Sequence, residues 1–492
     1  MSHSDSSSPH APAAVSTPVQ IVRAVLRPFQ RFAHTESAGG IVLLVCTAVA
    51  LGWANSPWAA SYHHLWETPL TIGAPEAGWG LTLSLHHWIN DGLMAVFFFV
   101  VGLEIKRELL IGELASPRQA ALPIAGAIGG MVVPAAIYAA LNLGGRGAAG
   151  WGIPMATDIA FALGVLALLG PRVPLALRVF LAALAIVDDL GAVLVIAFFY
   201  TADISWASLG VAALAFGALV LCNVSGVRRT SVYTLFGVVL WIAFLKSGIH
   251  ATIAGVLHAL TIPARTKIDE DEFIARANAY VREFTDASSP ATTVLTNGTQ
   301  QFALSALEDA CEAAQAPLQK LEHELHGWVA FVIMPVFALA NAGVHLGGDL
   351  LGALSVPVTL GVVLGLVLGK PLGIGLASWL AVRAGLAVLP TGVRWRALGG
   401  VSVLGGIGFT MSLFIASLAF GDAVLLDSAK VGILAASIVA GVAGYALLRS
   451  GPDPRTALGS ETAGDAPIAA PDEGASDAPL GPSDEEPRDP AS

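Results

Sequence analysis

The stretch VFLAALAIVDDLGAVLVIAFFY, residues 179–200, places Asp188 and Asp189 side by side inside an otherwise apolar run. A carboxylate at the centre of a membrane-spanning helix costs about 2.5–3.5 kcal/mol to insert. A helix rises about 1.5 Å per residue, so the pair lies roughly 20 Å into a predicted span over 174–200, near the bilayer midplane. Two adjacent negative charges at that depth are stable only when a bound cation or a proton compensates them. This property favours competition between a cation and protons. The alternative interpretation is a pair of buried polar groups satisfied by neighbours.

The composition of the whole chain is that of a polytopic membrane protein. Of its 492 residues, 55% are hydrophobic and only 12% are charged, whereas soluble globular chains carry about 25% charged residues. We therefore predict an all-α membrane protein with about twelve transmembrane helices. The predicted spans are residues 37–56, 86–110, 120–143, 152–170, 174–200, 206–223, 231–247, 249–262, 327–344, 354–382, 398–420 and 430–448.

The distribution of charge predicts the orientation of these spans. Every second loop is basic, beginning with Arg23, Arg27 and Arg31 before the first span, while the loop 57–84 carries neither Lys nor Arg. This is the positive-inside pattern, and it predicts that both termini are cytoplasmic. The acidic balance lies in two polar segments and not in the spans, and nothing in it indicates binding to nucleic acid.

Three segments lie outside the predicted spans. Residues 1–18 and 452–492 are rich in Ser, Pro, Ala, Gly and Asp and are predicted to be disordered cytoplasmic tails. Residues 263–326 separate the transmembrane regions 35–262 and 327–448, and their apolar residues at helical spacing predict a cytoplasmic helical insertion. In the first external loop, TPLTIGAPEAGWGLTLSL (68–85) alternates around a turn and predicts a β-hairpin.

Two spans contain signals for broken helices. In IPMATDIAFALG (153–164), Pro154 disfavours helix immediately before Thr157 and Asp158. An ordinary proline kink with Asp158 as a cap is the alternative. In VSVLGGIGFTMSLFIASLAF (401–420), the cluster of glycines at 405–408 predicts a second break. Interrupted spans at corresponding positions of two halves are typical of inverted-repeat transporters.

Lys370 lies at mid-depth in GVVLGLVLGKPLGIG (361–375), where glycines recur every fourth residue on one face and allow close helix packing. A buried ammonium needs a carboxylate partner. Asp158, Asp188 and Asp189 are the mid-depth candidates, and the spacing of the residues leaves open which of them it is.

A second group of charges is predicted at the cytoplasmic ends of two spans. Glu104 and Glu108 close the second span, while Glu322, His323 and His326 precede the ninth. Histidine titrates near neutral pH, so this group could report cytoplasmic pH. A solvated ion-pair face is an equally good interpretation. His250, near the external end of the eighth span, is compatible with a structural role.

Taken together, eight strings resemble the NhaA family of bacterial sodium/proton antiporters: MAVFFFVVGLEIKREL, ATDIAFALGVLALLG, RVPLALRVFLAALAIVDDLGAV, LKSGIHATIAG, LEHELHGWVAF, MPVFALANAG, GKPLGI and GIGFTMSLFIASLAFG. The resemblance runs from about residue 35 to 448, apart from the insertion 264–318.

The resemblance implies a pH-regulated, electrogenic Na⁺(Li⁺)/H⁺ antiporter of the bacterial inner membrane, with an inverted repeat and two broken helices that cross. Asp188 and Asp189 would bind the transported Na⁺ or Li⁺ and carry protons in exchange, Thr157 and Asp158 would shape the site, and Lys370 would pair with Asp188 when the cation is absent. It further implies no cofactor and no enzymatic activity, membrane lipids as surroundings, and a homodimer supported by the hairpin. The residues implied in pH regulation are Glu104, Glu108, Glu322, His323, His326 and His250.

Three other functional classes are weighed against this one. An ion channel would need a continuous lined pore, whereas these carboxylates cluster at one depth. An intramembrane enzyme would need a nucleophile or metal-ligand set, which the spans lack. A receptor would make the insertion or the acidic tail the working part.

Overall fold

The computed structural model describes residues 38–74, 79–201, 204–288, 293–345, 350–390 and 392–450. The two predicted tails, 1–18 and 452–492, lie outside these residues. The α-helices in chain order are α1 Ala38–Ala54, α2 Ala59–Glu67, α3 Leu85–His87, α4 Met94–Ile111, α5 Pro117–Asn142, α6 Ile159–Leu168, α7 Leu175–Phe199, α8 Trp206–Val224, α9 Thr230–Leu245, α10 Thr252–Thr261, α11 Glu270–Asp286, α12 Gly298–Ala314, α13 Pro317–Trp328, α14 Met334–Asn341, α15 Leu350–Ser355, α16 Pro357–Leu364, α17 Lys370–Arg383, α18 Trp395–Leu404, α19 Phe409–Ala419 and α20 Ala423–Arg449.

The helical architecture is that of a polytopic membrane protein. Within the described residues, seven helices are long and apolar enough to cross a bilayer, or up to nine if each of two bent pairs is one span. The predicted count of about twelve also includes shorter apolar helices such as α9 and α10, which have 16 and 10 residues. That count and the inverted repeat stay predictions.

The predicted β-hairpin is confirmed. Strands β1 (Pro69–Ala74) and β2 (Trp79–Ser84) pair antiparallel, with Pro69 opposite Ser84. The indole Nε1 of Trp88 donates to the carbonyl of Leu70 at 3.0 Å, which ties the hairpin to the helix that follows it.

Several helices contain turns that depart from α geometry. Wider π turns lie at Trp88–Leu93, between α3 and α4, at Val329–Ile333, between α13 and α14, and at Gly365–Gly369, between α16 and α17. A tighter 3₁₀ helix spans Ala148–Met155, ahead of α6. Such π turns are rare and occur frequently at functional sites.

The glycine face of α17 packs directly on α5. A Cβ added to Gly373 would lie 2.1 Å from the carbonyl oxygen of Gly129, and a Cβ added to Gly129 would lie 2.2 Å from that of Gly373. In the same way, Gly365 abuts the ring of Pro154, where a Cβ would come within 2.7 Å of Pro154 Cβ. The repeating glycines therefore bring the backbones together, as the sequence predicts.

The segment predicted to be an insertion contains two adjacent helices, α11 and α12. Asp269 caps α11 by accepting from the amide of Glu272 at 2.8 Å, and Asn297 caps α12. Helix α13 then begins with Pro317 in its first turn, a position that suits proline, and it continues through the π turn into α14.

Candidate functional site

Two helices of the assembly are interrupted, and the two helix breaks lie next to each other. The first lies between the 3₁₀ helix Ala148–Met155 and α6, where residues 156–158 are not helical. The second lies between α18 and α19, which are bent by 45° at residues 405–408. Pro154 and the glycine cluster explain the breaks, because one removes a backbone donor and the other tolerates tight approach. A Cβ on Gly406, for example, would lie 2.4 Å from the carbonyl oxygen of Leu366.

Hydrogen bonds run in both directions between the two breaks, and we call the region formed by residues 153–158 and 405–412 the crossing. Thr157 Oγ1 donates to the carbonyl of Gly405 at 2.9 Å, and the amide of Asp158 donates to the carbonyl of Ile407 at 2.7 Å. In the opposite direction, Ser412 Oγ donates to the carbonyl of Ile153 at 2.8 Å. These bonds satisfy backbone groups that the interrupted helices leave without intrahelical partners.

Asp158 accepts hydrogen bonds from the first turns of two helices. Its Oδ1 accepts from the amide of Phe161 at 3.0 Å, which makes it the N-cap of α6. Its Oδ2 accepts from the amide of Thr410 at 3.1 Å and from the Thr410 hydroxyl, both in the first turn of α19. A negative charge at two helix N-termini is electrostatically favourable, because both ends carry partial positive charge.

The two aspartates of α7 differ in their surroundings. Asp188 Oδ2 accepts from Lys370 Nζ at 2.6 Å, and both side chains have no exposed surface. Thr157 lies close to the same carboxylate. Asp189 is 1% exposed, and among the described residues neither of its carboxylate oxygens has a hydrogen-bond donor. The Oδ1 of Asp188 also has no hydrogen-bond donor among these residues.

Lys370, the partner of Asp188, follows a π turn. Residue 370 is the first of α17, directly after Gly365–Gly369. The sequence left three carboxylates as partners of the ammonium, and the structure selects Asp188. Asp189 and Asp158 lie nearby, within reach of electrostatic interaction with one another. The five side chains Thr157, Asp158, Asp188, Asp189 and Lys370 are thus gathered in one buried cluster.

A second cluster brings together most of the residues considered for pH regulation. Arg107 donates to Glu322 and, at 3.0 Å, to Glu108, and it thereby links α4 to α13. Glu104 Oε1 lies 4.0 Å from Nδ1 of His326.

Two histidines considered for pH regulation are placed differently. His323 is exposed on α13. His250 is separate from the group, with its Nε2 2.6 Å from the carbonyl oxygen of Tyr200.

Comparisons with known proteins identify the family of this chain. The family described as Na⁺/H⁺ antiporter 1 matches residues 30–448. A protein named Na⁺/H⁺ antiporter NhaA from Oleidesulfovibrio alaskensis is 53% identical over 87% of this chain and 95% of its own length. The chain belongs to the NhaA family. Similar relatives are an NhaA of Koribacter versatilis, 52% identical over 91% of this chain and 95% of its own length, and an NhaA 2 of Syntrophotalea carbinolica, 53% identical over 86% and 96%.

In this member of the NhaA family, the structure adds two groups of buried polar residues that the sequence does not identify. Thr410 and Ser412 follow the glycine cluster and bond across the crossing. Neither residue caps its own helix, whose N-cap is Gly408, so no local capping pattern in the sequence identifies them.

The second group joins two distant stretches of this NhaA chain. Asn341 Nδ2 donates to Asn90 Oδ1 at 2.9 Å, and Asn341 Oδ1 lies 3.1 Å from His86 Nε2. Asn90 belongs to the first π turn and Asn341 ends α14. No sequence pattern links residues 251 positions apart, so this group emerges only from the structure.

Proposed function

We propose that this chain is an electrogenic antiporter that exports Na⁺ or Li⁺ in exchange for a larger number of protons. Membership of the NhaA family supports antiport, since relatives at about half identity bear the name Na⁺/H⁺ antiporter. The observation that carries the proposal is Asp189, a buried carboxylate without a hydrogen-bond donor among the described residues, beside an Asp188 that is only half satisfied. Unpaired carboxylate oxygens are hard ligands suited to a small cation or to protons.

Lys370 and the cation would compete for Asp188 in this scheme. A buried carboxylate requires a compensating partner, because the interior does not solvate charge. With Lys370 bonded to Asp188, the remaining uncompensated group is Asp189, which a proton neutralises. When the proton of Asp189 and one proton of the Lys370 ammonium leave toward the cytoplasm, a cation takes oxygen ligands from both carboxylates in place of the Lys370 hydrogen bond, so that two protons leave for each cation bound. Exposure of the loaded site to the outside then lets protons displace the cation.

The proposed ratio of protons to cations follows from the need to export the cation against its gradient. Export against a concentration gradient can draw on the membrane potential only if net charge crosses in each cycle, and each charge is worth about 2.3 kcal/mol per 100 mV. More protons than cations therefore enter. The transported ions are the only ligands in this scheme, and no cofactor takes part.

The pH response is assigned to the second cluster. Glu104, Glu108, Glu322 and His326 lie around Arg107, so a change of protonation in one of them alters the ion pairs that link α4 to α13. His323 is the solvent-facing member and His250 tunes the response from its separate position.

We place the protein in the bacterial inner membrane, surrounded by lipid, with both termini and the helices α11 and α12 on the cytoplasmic side. The twelve spans would include the shorter helices and form an inverted repeat around the crossing. Strands β1 and β2 would support a homodimer.

Everted membrane vesicles loaded with a pH-sensitive dye test the proposal. Addition of NaCl or LiCl should dissipate a preformed proton gradient through the wild-type chain, and KCl should not. Asp189→Asn should abolish this response, because it removes one negative charge from the site without changing its size. The matched control is Asp286→Asn, the same change at an exposed position of α11. Full Na⁺-dependent proton movement by Asp189→Asn would overturn the site assignment.

A further inference from the structure

Asp158 and Asp189 are both buried carboxylates of the crossing region, yet their hydrogen bonding is opposite. Asp158 receives three donors, namely the amide of Phe161 and both the amide and the hydroxyl of Thr410. Neither oxygen of Asp189 receives a donor from the part of the chain that the structure describes. Donors to a carboxylate stabilise its charged form, whereas a carboxylate without donors is free to bind a cation or a proton. The two residues therefore differ in their surroundings: Asp158 is held by hydrogen-bond donors, and Asp189 is open to a cation or a proton.

Most of the hydrogen bonds that fix Asp158 come from one residue of α19. Both of the donors to Oδ2 belong to Thr410, which has no exposed surface. The amide is a donor whatever the side chain is, but the hydroxyl is supplied by the side chain alone. The neighbouring hydroxyl of Ser412 cannot replace it, because that hydroxyl donates to the carbonyl of Ile153 instead.

The Thr410 hydroxyl also joins the two breaks through a charged group. Asp158 is the N-cap of α6, while Thr410 lies in the first turn of α19. The other bonds across the crossing, from Thr157, Ser412 and the amide of Asp158, all end on neutral backbone carbonyls. Hydrogen bonds to a charged group are about twice as strong as neutral ones. Among these side-chain bonds between the two breaks, the contact of Thr410 with Asp158 is therefore the one that ends on a carboxylate.

We infer that Thr410 is a positioning residue of the exchange reaction, which holds Asp158 ionised and in place between the two broken helices. This inference rests on the proposed antiport function. An ionised Asp158 attracts the cation to the site through a medium of low dielectric, and its fixed position keeps Thr157 next to Asp188. Loss of the hydroxyl weakens cation binding and leaves Asp188 and Asp189 intact, so the apparent KM for Na⁺ changes more than the maximal rate.

The experiment measures initial rates of Na⁺-dependent proton movement against Na⁺ concentration in everted vesicles. Thr410→Val removes the hydroxyl with little change of volume and should raise the apparent KM about tenfold, which corresponds to about 1.4 kcal/mol. Thr410→Ser restores a hydroxyl at the same place and should keep the KM within about twofold of the wild type. The matched control is Thr359→Val, since Thr359 is equally buried but donates to the carbonyl of Ser428 at 2.8 Å. Its KM should not change.

The inference is overturned by a KM within twofold of the wild type for Thr410→Val, or by a Thr410→Ser variant that is as impaired as the valine variant. If valine beside a carboxylate prevents folding, Thr410→Cys supplies a weak donor of similar size, and its KM should lie between those of the serine and valine variants. A wild-type KM for Thr410→Cys also overturns the inference. Wild-type vesicles without Na⁺-dependent proton movement would instead contradict the proposed function itself.

Discussion

Replacement of Lys370 by methionine tests how the charge of Asp188 is compensated. Lys370 Nζ lies 2.6 Å from Asp188 Oδ2, and neither side chain is exposed. Removal of one partner from such a pair costs about 3–5 kcal/mol, because the other charge stays buried and unpaired. The variant can avoid that cost only by protonating Asp188. From an ordinary carboxyl pKa of about 3.9, protonation at pH 7 costs about 4 kcal/mol and at pH 5 about 1.5 kcal/mol.

The loss of stability in Lys370→Met should therefore shrink as the pH falls. A carboxyl that is protonated in the folded state and ionised in the unfolded state stabilises the fold less as pH rises. Equilibrium unfolding in mixed detergent micelles at pH 5, 6 and 7 should show this slope. Asp188→Asn added to Lys370→Met should recover most of the loss, because no unpaired charge remains.

Lys320→Met is the control for that experiment, since Lys320 lies at the same 2.6 Å from Glu312 but both side chains are exposed. Its unfolding free energy should change by less than about 1 kcal/mol. The reasoning is refuted if Lys370→Met loses as much stability at pH 5 as at pH 7, or if the double variant is no more stable than the single one.

Two further changes probe packing and a polar contact outside the charged site. Gly373→Ala places a Cβ 2.1 Å from the carbonyl oxygen of Gly129 and should lower the free energy of unfolding by about 1–3 kcal/mol or more. Gly375→Ala is the control, because a Cβ there meets open space and should not change stability. Equal melting temperatures of the two variants would contradict the backbone contact. Asn341→Leu leaves the Oδ1 of the buried Asn90 without its donor and should cost about 1–3 kcal/mol, which Asn90→Leu in the same chain should partly restore. A single variant as stable as the wild type would show that the contact carries no net energy.

The two helix breaks could be predicted from local chemistry. Pro154 removes a backbone donor and the glycines at 405–408 tolerate close approach, and both effects depend on the residue itself and its immediate neighbours. The hairpin follows from local alternation in the same way. These features are independent of the rest of the fold, and for that reason the sequence is sufficient to locate them.

The partners of buried polar groups could not be predicted with the same precision. Depth in the membrane reduced the partner of Lys370 to three carboxylates, but the choice of Asp188 depends on how α7 and α17 are rotated against each other. The contact of Asn341 with Asn90 depends on the approach of α14 to a π turn, which no spacing in the sequence encodes. The number of spans depends on tertiary structure in the same way, since bent helix pairs and short helices such as α10 do not meet a simple length criterion.

The distribution of charge at the crossing suggests an order of events for the proposed antiport. Of the three buried carboxylates, Asp158 is compensated by hydrogen-bond donors, Asp188 by Lys370, and Asp189 by neither. The first positive charge to enter, whether a proton or a cation, therefore gains most at Asp189. A proton needs only that one carboxylate, but a cation gains further ligands by binding Asp188 as well, and to do so it must break the bond to Lys370. Competition between Na⁺ and protons is thus coupled to Lys370. In Lys370→Met the second proton that the cation displaces comes from Asp188 instead of the ammonium. Because a carboxyl loses its proton at lower pH than an ammonium does, the pH range over which the apparent KM for Na⁺ changes should shift to lower values.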